Sequence, residues 1–284
     1  MKKHKEDQAS SLSGMLKKLG ISRSGFYDFI HRKPSKQKQR REEITVQIEA
    51  IHTESHEIYG APKITVELRK KGYKVSEKYV GNIMRENGLK AHYIKPYTTT
   101  TRDCDFSSRL HNVLNRDFSP VKPNSAWCTD ITYIWTQDEG FVYLTSVMDI
   151  YSRKIIAWKL SKTMMVEEVL ESLKEAKNRR KTDNPVVIHS DRGVQFTSKA
   201  YYDLTVGMMT SYSEKGNPWD NACIESFHSL IKREWLNRQK IMDYNQAYQL
   251  VFEYIEGFYN TIRIHSHCGY VSPNEYERQF YYDN

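Results

Sequence analysis

The chain has 284 residues, 39% hydrophobic and 12% aromatic, which is enough apolar matter to bury a core and excludes a disordered chain. Its formal net charge is +8, with 25 Lys and Arg against 14 Asp and Glu in residues 1–125 and 18 against 21 in residues 126–284. Four scattered cysteines with no C-x-x-C pair argue against a structural zinc or a disulfide framework, no apolar run reaches the ~18 residues of a membrane span, and no apolar stretch follows the basic start Met1 to Lys5 to make a signal peptide.

A basic front and a slightly acidic back suggest a nucleic-acid grip joined to something else; a solvated basic surface fits the charge equally. Residues 12–31 read as two short helices. Leu12, Met15, Leu16 and Leu19 fall at helical spacing, and Leu19-Gly20-Ile21-Ser22 is a tight turn. Ser22 is a good N-cap for a second helix carrying Phe26, Phe29 and Ile30. These are the parts of a helix-turn-helix, or of a plain helical hairpin. In the first case Arg23 and Ser24 stand in the first turn of the second helix, where such motifs reach bases or phosphates. A basic stretch over 35–58 runs into a helix with Ile44, Ile48 and Ile51. After the break Tyr59-Gly60-Ala61-Pro62, a second helix pair follows: Ile64, Val66 and Leu68 on the first member, a Ser76 cap, then Tyr79, Val80, Ile83 and Met84 on the second. The polar, proline-bearing residues 95–122 read as a linker.

The composition changes after Pro123. Residues 127–135, 141–148 and 153–160, rich in Thr, Ile, Val, Tyr and Trp, predict three consecutive antiparallel strands. A helix at about 165–180, a buried strand at 185–189, a helix from Ser198, a short strand at 208–212 and long helices from Trp219 complete the order. A mixed α/β sheet of this order matches a ribonuclease-H-like fold.

Three acids sit where acids are costly. Asp130 lies inside an otherwise apolar strand, Asp191 follows the apolar run ending Ile188-His189-Ser190, and Glu225 stands one position off the apolar face of a helix bearing Ile224, Phe227, Leu230 and Ile231. Such carboxylates need a partner, usually a metal or a cation. Two strands and a helix could supply ligands for two Mg²⁺ ions about 3.5–4 Å apart, the arrangement for in-line phosphoryl transfer. Singly, each acid also reads as a strand-end acid, a turn residue or a solvated helix residue.

The chain resembles the DDE transposases of bacterial insertion sequences, specifically the OrfB-type subunit of the family named after insertion sequence three, with its integrase-like catalytic core. The likeness rests on Trp127 to Thr132, Val147-Met148-Asp149-Ile150-Tyr151-Ser152-Arg153, His189-Ser190-Asp191-Arg192-Gly193, Gln195-Phe196-Thr197-Ser198, Asp220-Asn221-Ala222 and Glu225-Ser226-Phe227, and on Tyr259-Asn260, Arg263 and Ser272-Pro273 near the end. It extends to Leu19-Gly20-Ile21-Ser22-Arg23-Ser24 and Tyr59-Gly60 in the front half. The resemblance implies an α-helical helix-turn-helix DNA-binding region over 1–94, a linker over 95–122, and a ribonuclease-H-like, retroviral-integrase-like catalytic domain over 123–284. It implies Asp130, Asp191 and Glu225 as catalytic and metal-binding residues, with Mg²⁺ or Mn²⁺, two ions, as cofactor. Lys232 would contact the DNA end, and Lys215 and Asn221 would face DNA. Asp149 is expected to be a structural acid paired with Arg153. The implied partners are the terminal inverted repeats of an element and a target DNA. The chain would self-associate on paired ends, with an upstream OrfA-type protein or a fusion to it, and no membrane. The expected place is the bacterial cytoplasm, at the nucleoid. The implied activity is metal-dependent 3′-end cleavage and strand transfer. The alternatives are an inactive copy that only binds DNA and a hydrolytic nuclease of ribonuclease-H type. The stretch between Asp191 and Glu225 is shorter than the family's usual spacing, and the expected place of the shortening is the turn at Val206–Met209.

Overall fold

A computed structural model describes residues 12–31, 33–92, 110–181, 186–214 and 217–283. Its contacts divide the chain into two units, residues 1–50 and 51–284. The first holds α1 (Leu12–Lys18), α2 (Arg23–His31) and most of α3 (Lys36–Glu54). Gly20, at φ 69°, takes the left-handed turn that ends α1 without a Cβ penalty. Ser22 caps α2 as expected: the Gly25 amide donates to Ser22 Oγ at 3.1 Å.

The second unit opens with α4 (Ala61–Lys70) and α5 (Glu77–Glu86), with Ile64, Leu68, Val80 and Ile83 buried. Ser76 caps α5 by accepting from the Tyr79 amide at 3.2 Å. The strands follow: β1 (Ala126–Thr136), β2 (Gly140–Asp149), β3 (Ile155–Ser161), β4 (Val187–Ser190) and β5 (Met209–Tyr212). They form one sheet in the order β3-β2-β1-β4-β5. The first three run antiparallel, while β4 joins β1 and β5 joins β4 in parallel. This is the mixed, ribonuclease-H-like sheet that the element order predicts.

Alternation along β1 sends Trp127 to one face and Cys128 and Asp130 to the other. On the first face α6 (Val166–Arg180) lays Val169, Leu173 and Ala176 against Trp127, Val147 and Ile188, the main core. On the other lie α8 (Ala222–Glu234) and an aromatic cluster in which Phe227 meets Tyr254 and Tyr259. Tyr254 and Tyr259 come from the π-helical turns Glu253–Tyr259, which continue α9 (Tyr244–Phe252). The chain ends in α10 (Pro273–Asp283). Between β4 and β5, α7 (Lys199–Leu204) is capped by Ser198 and returns through a tight turn with Gly207 at φ 87°.

The partner expected for Asp149 is corrected. Asp149 is fully buried and accepts from the amides of Asn124 (2.8 Å) and Tyr151 (3.0 Å), and its nearest cation is Arg180, at 3.8 Å. The Arg153 guanidinium turns instead to the Phe118 carbonyl (2.8 Å) and Cys223 Sγ (2.6 Å), because α8 is closer to it than the carboxylate is. No helix among the described residues is long and apolar enough to cross a membrane.

Candidate active site

The parallel pairing of β1 with β4 sets the first two acids side by side. Trp127 pairs with Ile188 and Cys128 with His189. The pairing ends there; two residues further on each chain come Asp130, still in β1, and Asp191, just beyond the end of β4 at Ser190. Adjacent strands lie about 4.8 Å apart, and both positions share the parity that points toward α8. Strand ends in open α/β sheets are where ligands gather.

The loop that bears Asp191 is pinned from several directions. Asp191 Oδ1 accepts from the Gly193 amide at 2.9 Å. A Cβ on Gly193 would stand 3.0 Å from that same oxygen, so a side chain there would crowd the carboxylate. Arg192 donates to the carbonyls of Ser213 (2.8 Å) and Leu110 (3.3 Å). Behind it, buried His189 joins Ser211 Oγ (2.8 Å) and Ser213 Oγ (3.1 Å), and burial lowers its pKa to about 4, so it holds the strand ends together as a neutral ring.

The third acid arrives on α8. Arg116 anchors the approach to this helix through a 2.6 Å ion pair with buried Asp220, whose other oxygen accepts from the Glu214 amide at 2.8 Å. Burial alone would raise the Asp220 pKa; the Arg116 pair and the Glu214 amide hold it below the usual carboxylate range. Ile224, Phe227 and Ile231 then bury the helix against the sheet. Glu225, one position aside, is exposed. Partial loss of hydration, followed by the negative charges of Asp130 and Asp191, pushes its pKa up to about 7. The charges of Asp130 and Asp191 thus reach Glu225.

They do not form a closed ligand cage. Among the described residues, no three Asp, Glu, His or Cys side chains stand close enough together to hold an ion. The convergence of the three carboxyl groups to within ion reach, expected from the sequence, is not seen among the described residues; like-charged carboxylates repel one another. The donor set itself, all carboxylate oxygen with the elevated Glu225 as a sign of uncompensated negative charge, fits a hard divalent cation.

Lys232, two helical turns beyond Glu225, holds its ammonium 4.3 Å from the Tyr133 ring. Loss of hydration lowers its pKa, and Asp130 works in the opposite direction. Asn221 is buried at the entry to α8, with its Oδ1 unpartnered among the described residues. Arg23 opens α2 in the first unit, its guanidinium 6.0 Å from the Tyr27 ring centre. Lys215 lies outside the described residues.

One residue escaped sequence reasoning. His228 is buried, with Nδ1 3.4 Å from Asp130 Oδ2 and Nε2 3.4 Å from Ser146 Oγ. The signal was present. Positions 224, 227, 228 and 231 make one helical face, and His228 is its polar member, one turn past Glu225.

Family models described as an integrase core domain match residues 120–218 and 206–273, and one described as an HTH-like domain matches residues 39–97. The sheet, the acid-bearing strand ends and these matches define an integrase-core protein with a helix-turn-helix-like domain ahead of the core. The chain is 36% identical over 259 residues to the transposase for insertion sequence element IS904 of Lactococcus lactis subsp. lactis (strain IL1403), covering 88% of this chain and 99% of that one. It is 35% identical over 273 residues to the transposase InsF for insertion sequence IS3A of Escherichia coli (strain K12), covering 95% and 94%. The chain belongs to the IS3 family of insertion-sequence transposases. Among solved structures, a simian T-cell lymphotropic virus intasome in complex with the PP2A regulatory subunit B56 gamma overlays with a TM-score of 0.46 at 15% identity, covering 81% of this chain and 74% of that one. The protein is a DNA transposase with an integrase-type catalytic core.

Proposed function

We propose that Asp130, Asp191 and Glu225 are the catalytic acids of this transposase, that they hold divalent metal, and that they serve 3′-end cleavage followed by strand transfer. The observation that carries this assignment is the parallel pairing of β1 with β4, which runs toward Asp130 and Asp191, under the helix that carries Glu225 and, through His228, touches Asp130. Mg²⁺ or Mn²⁺, as a pair of ions, would supply activation of the attacking oxygen and stabilisation of the leaving one. The chain's own contribution is position. The β1–β4 register places two carboxylates together, the Gly193 amide orients one, His228 stands against another, and α8 brings the third. Lys232, partly stripped of water, is suited to a DNA phosphate beside the acids.

Residues 1–94 are assigned to gripping DNA, followed by a linker over 95–122 and the catalytic domain over 123–284. Arg23, Lys215 and Asn221 are further DNA contacts in this assignment. The partners are terminal inverted repeats, target DNA, a second copy of the chain on the paired end, and an upstream OrfA-type protein or fusion.

The test uses labelled element-end DNA with Mg²⁺ or Mn²⁺. Asp130→Asn should abolish nicked and joined products while leaving DNA binding nearly intact, because it removes a metal ligand and none of the basic front. Loss of binding in step with loss of cleavage would overturn the role given to Asp130.

A further inference from the structure

The face of β1 that α6 covers runs out of cover toward the end of the strand. There Tyr133 and Trp135 are 55% and 54% exposed, and Phe141 of β2 is 47% exposed. Trp135 and Phe141 are direct cross-strand partners, with ring centres 4.8 Å apart at 74°. Tyr133 meets Phe141 on the diagonal, 5.2 Å apart at 78°. Cross-strand aromatic pairs stabilise a hairpin by themselves. Three large rings left open together, however, make a patch of the kind that marks a binding surface.

The patch is not purely apolar. Its rings line a cleft of about 340 Å³ together with Lys232 and Lys240, a volume at the small end of ligand clefts. The Lys232 ammonium lies 4.3 Å from the Tyr133 ring. Partial desolvation lowers the Lys232 pKa, and its Coulombic partner is Asp130. The cation therefore links the acid site to the rings. Tyr133 is three residues past Asp130 on the same strand, a rise of about 10 Å at ~3.3 Å per residue and, by alternation, on the opposite face, so the two are joined round the strand through Lys232. Stacked nucleotides advance about 3.4 Å along one strand, so a DNA strand passing Lys232 would cover that rise in about three nucleotides.

Open aromatic faces beside lysines are the chemistry of single-strand recognition, in which the ring stacks on a base and the ammonium takes the adjoining phosphate. A duplex with all its bases paired offers no free base face to such rings. We infer that Tyr133, Trp135 and Phe141, with Lys232 and Lys240, form a docking site for an unpaired nucleobase of the DNA strand, a few nucleotides from the reacting phosphate. This rests on the assignment of Asp130 as a catalytic acid for its placement along the DNA, and on the cleft alone for its chemistry.

The test is a fluorescence titration of the full-length protein, without divalent metal, against two DNAs: a blunt duplex, and the same duplex with a short unpaired tail carrying 2-aminopurine. The wild type should prefer the tailed DNA and quench the 2-aminopurine. The double variant Tyr133→Leu/Trp135→Leu keeps apolar bulk but loses two π faces. It should lose about tenfold or more in affinity for the tailed DNA, on the scale of base–aromatic stacking, and little for the blunt one. Trp135→Tyr, which keeps a ring, should retain the preference and so separates a lost stacking face from a damaged hairpin. A wild type with no preference for the tail, a preference that survives the double variant, or equal loss on both DNAs would overturn the site. Failure of the catalytic assignment reads out separately, as cleavage that persists in Asp130→Asn whatever the tail preference.

Discussion

At the residue scale the site is governed by carboxylates that do not tolerate one another's charge. Glu225 carries the clearest mark of this, a pKa raised from 4.5 to about 7 by lost hydration and by Asp130 and Asp191. In the folded, metal-free chain it keeps its proton up to about pH 7, whereas in the unfolded chain it loses it near 4.5. The folded state thus binds the extra proton, and stability falls as pH rises through that window. Glu225→Gln removes this dependence. Its melting temperature in chelator should exceed that of the wild type above pH 7 and converge on it below about pH 4.5, the ordinary range of a free Glu; parallel curves across the range would count against the coupling. His228 belongs to the same scale. Its contact with Asp130 is of the kind that orients a ligand from outside the metal shell, and replacing such partners commonly costs about 10–100-fold in metal affinity. His228→Phe keeps the bulk that packs beside Phe227, so Mn²⁺ titration of the folded variant should show a loss of that size, and an unchanged affinity would reduce His228 to a packing residue.

At the scale of elements, α8 matters most, since one helix carries Glu225, His228 and Lys232. Its far end is fastened by a buried pair: Arg263 donates to both oxygens of Glu234, at 2.7 and 2.6 Å, and Tyr254 Oη donates to Glu234 at 2.6 Å. Breaking such a pair from one side leaves a buried charge alone, which costs about 3–5 kcal/mol. Glu234→Ala should therefore lower stability by that order in chemical denaturation, and cleavage should fall with it as the helix shifts; a variant as stable as the wild type would show that the pair is dispensable. The helix and strands themselves were legible in the sequence, because periodicity and caps are local: Ser22 and Ser76 each cap the helix expected of them. The acids stood out in the sequence for the same local reason, as charges in or beside apolar stretches. His228 was hidden because a histidine on an apolar face reads as core until its partner across the sheet is known. The Arg153 pairing failed because two residues four apart on the chain say nothing of α8, which claims the guanidinium through Cys223.

At the scale of the whole molecule, the charge step near residue 125 and the grouping of contacts do not coincide. The sequence places both helix pairs in a front region ending at 94, whereas the contacts join α4 and α5 to the sheet-bearing unit that starts at Ile51. The ties are specific. Buried Tyr59 accepts from the Ile264 amide at 2.9 Å, Lys70 donates to the Tyr270 carbonyl at 2.8 Å, and Arg238 donates to the His56 carbonyl at 2.5 Å. The His56 ring also stands edge-on to Trp235 and Phe258, 4.8 and 5.5 Å away. Nothing local in the sequence announces pairings across some 200 residues, so these ties were not legible in it. A chain beginning at residue 51 keeps these ties, and a chain beginning at 123 loses every one and uncovers Trp235, Phe258 and Ile264. The longer fragment should melt in a single cooperative transition. The shorter one should be less stable by about 3–5 kcal/mol or more, the scale of removing one large core side chain, as read by chemical denaturation. Equal stability of the two fragments would show that these ties add nothing to the fold of the catalytic domain.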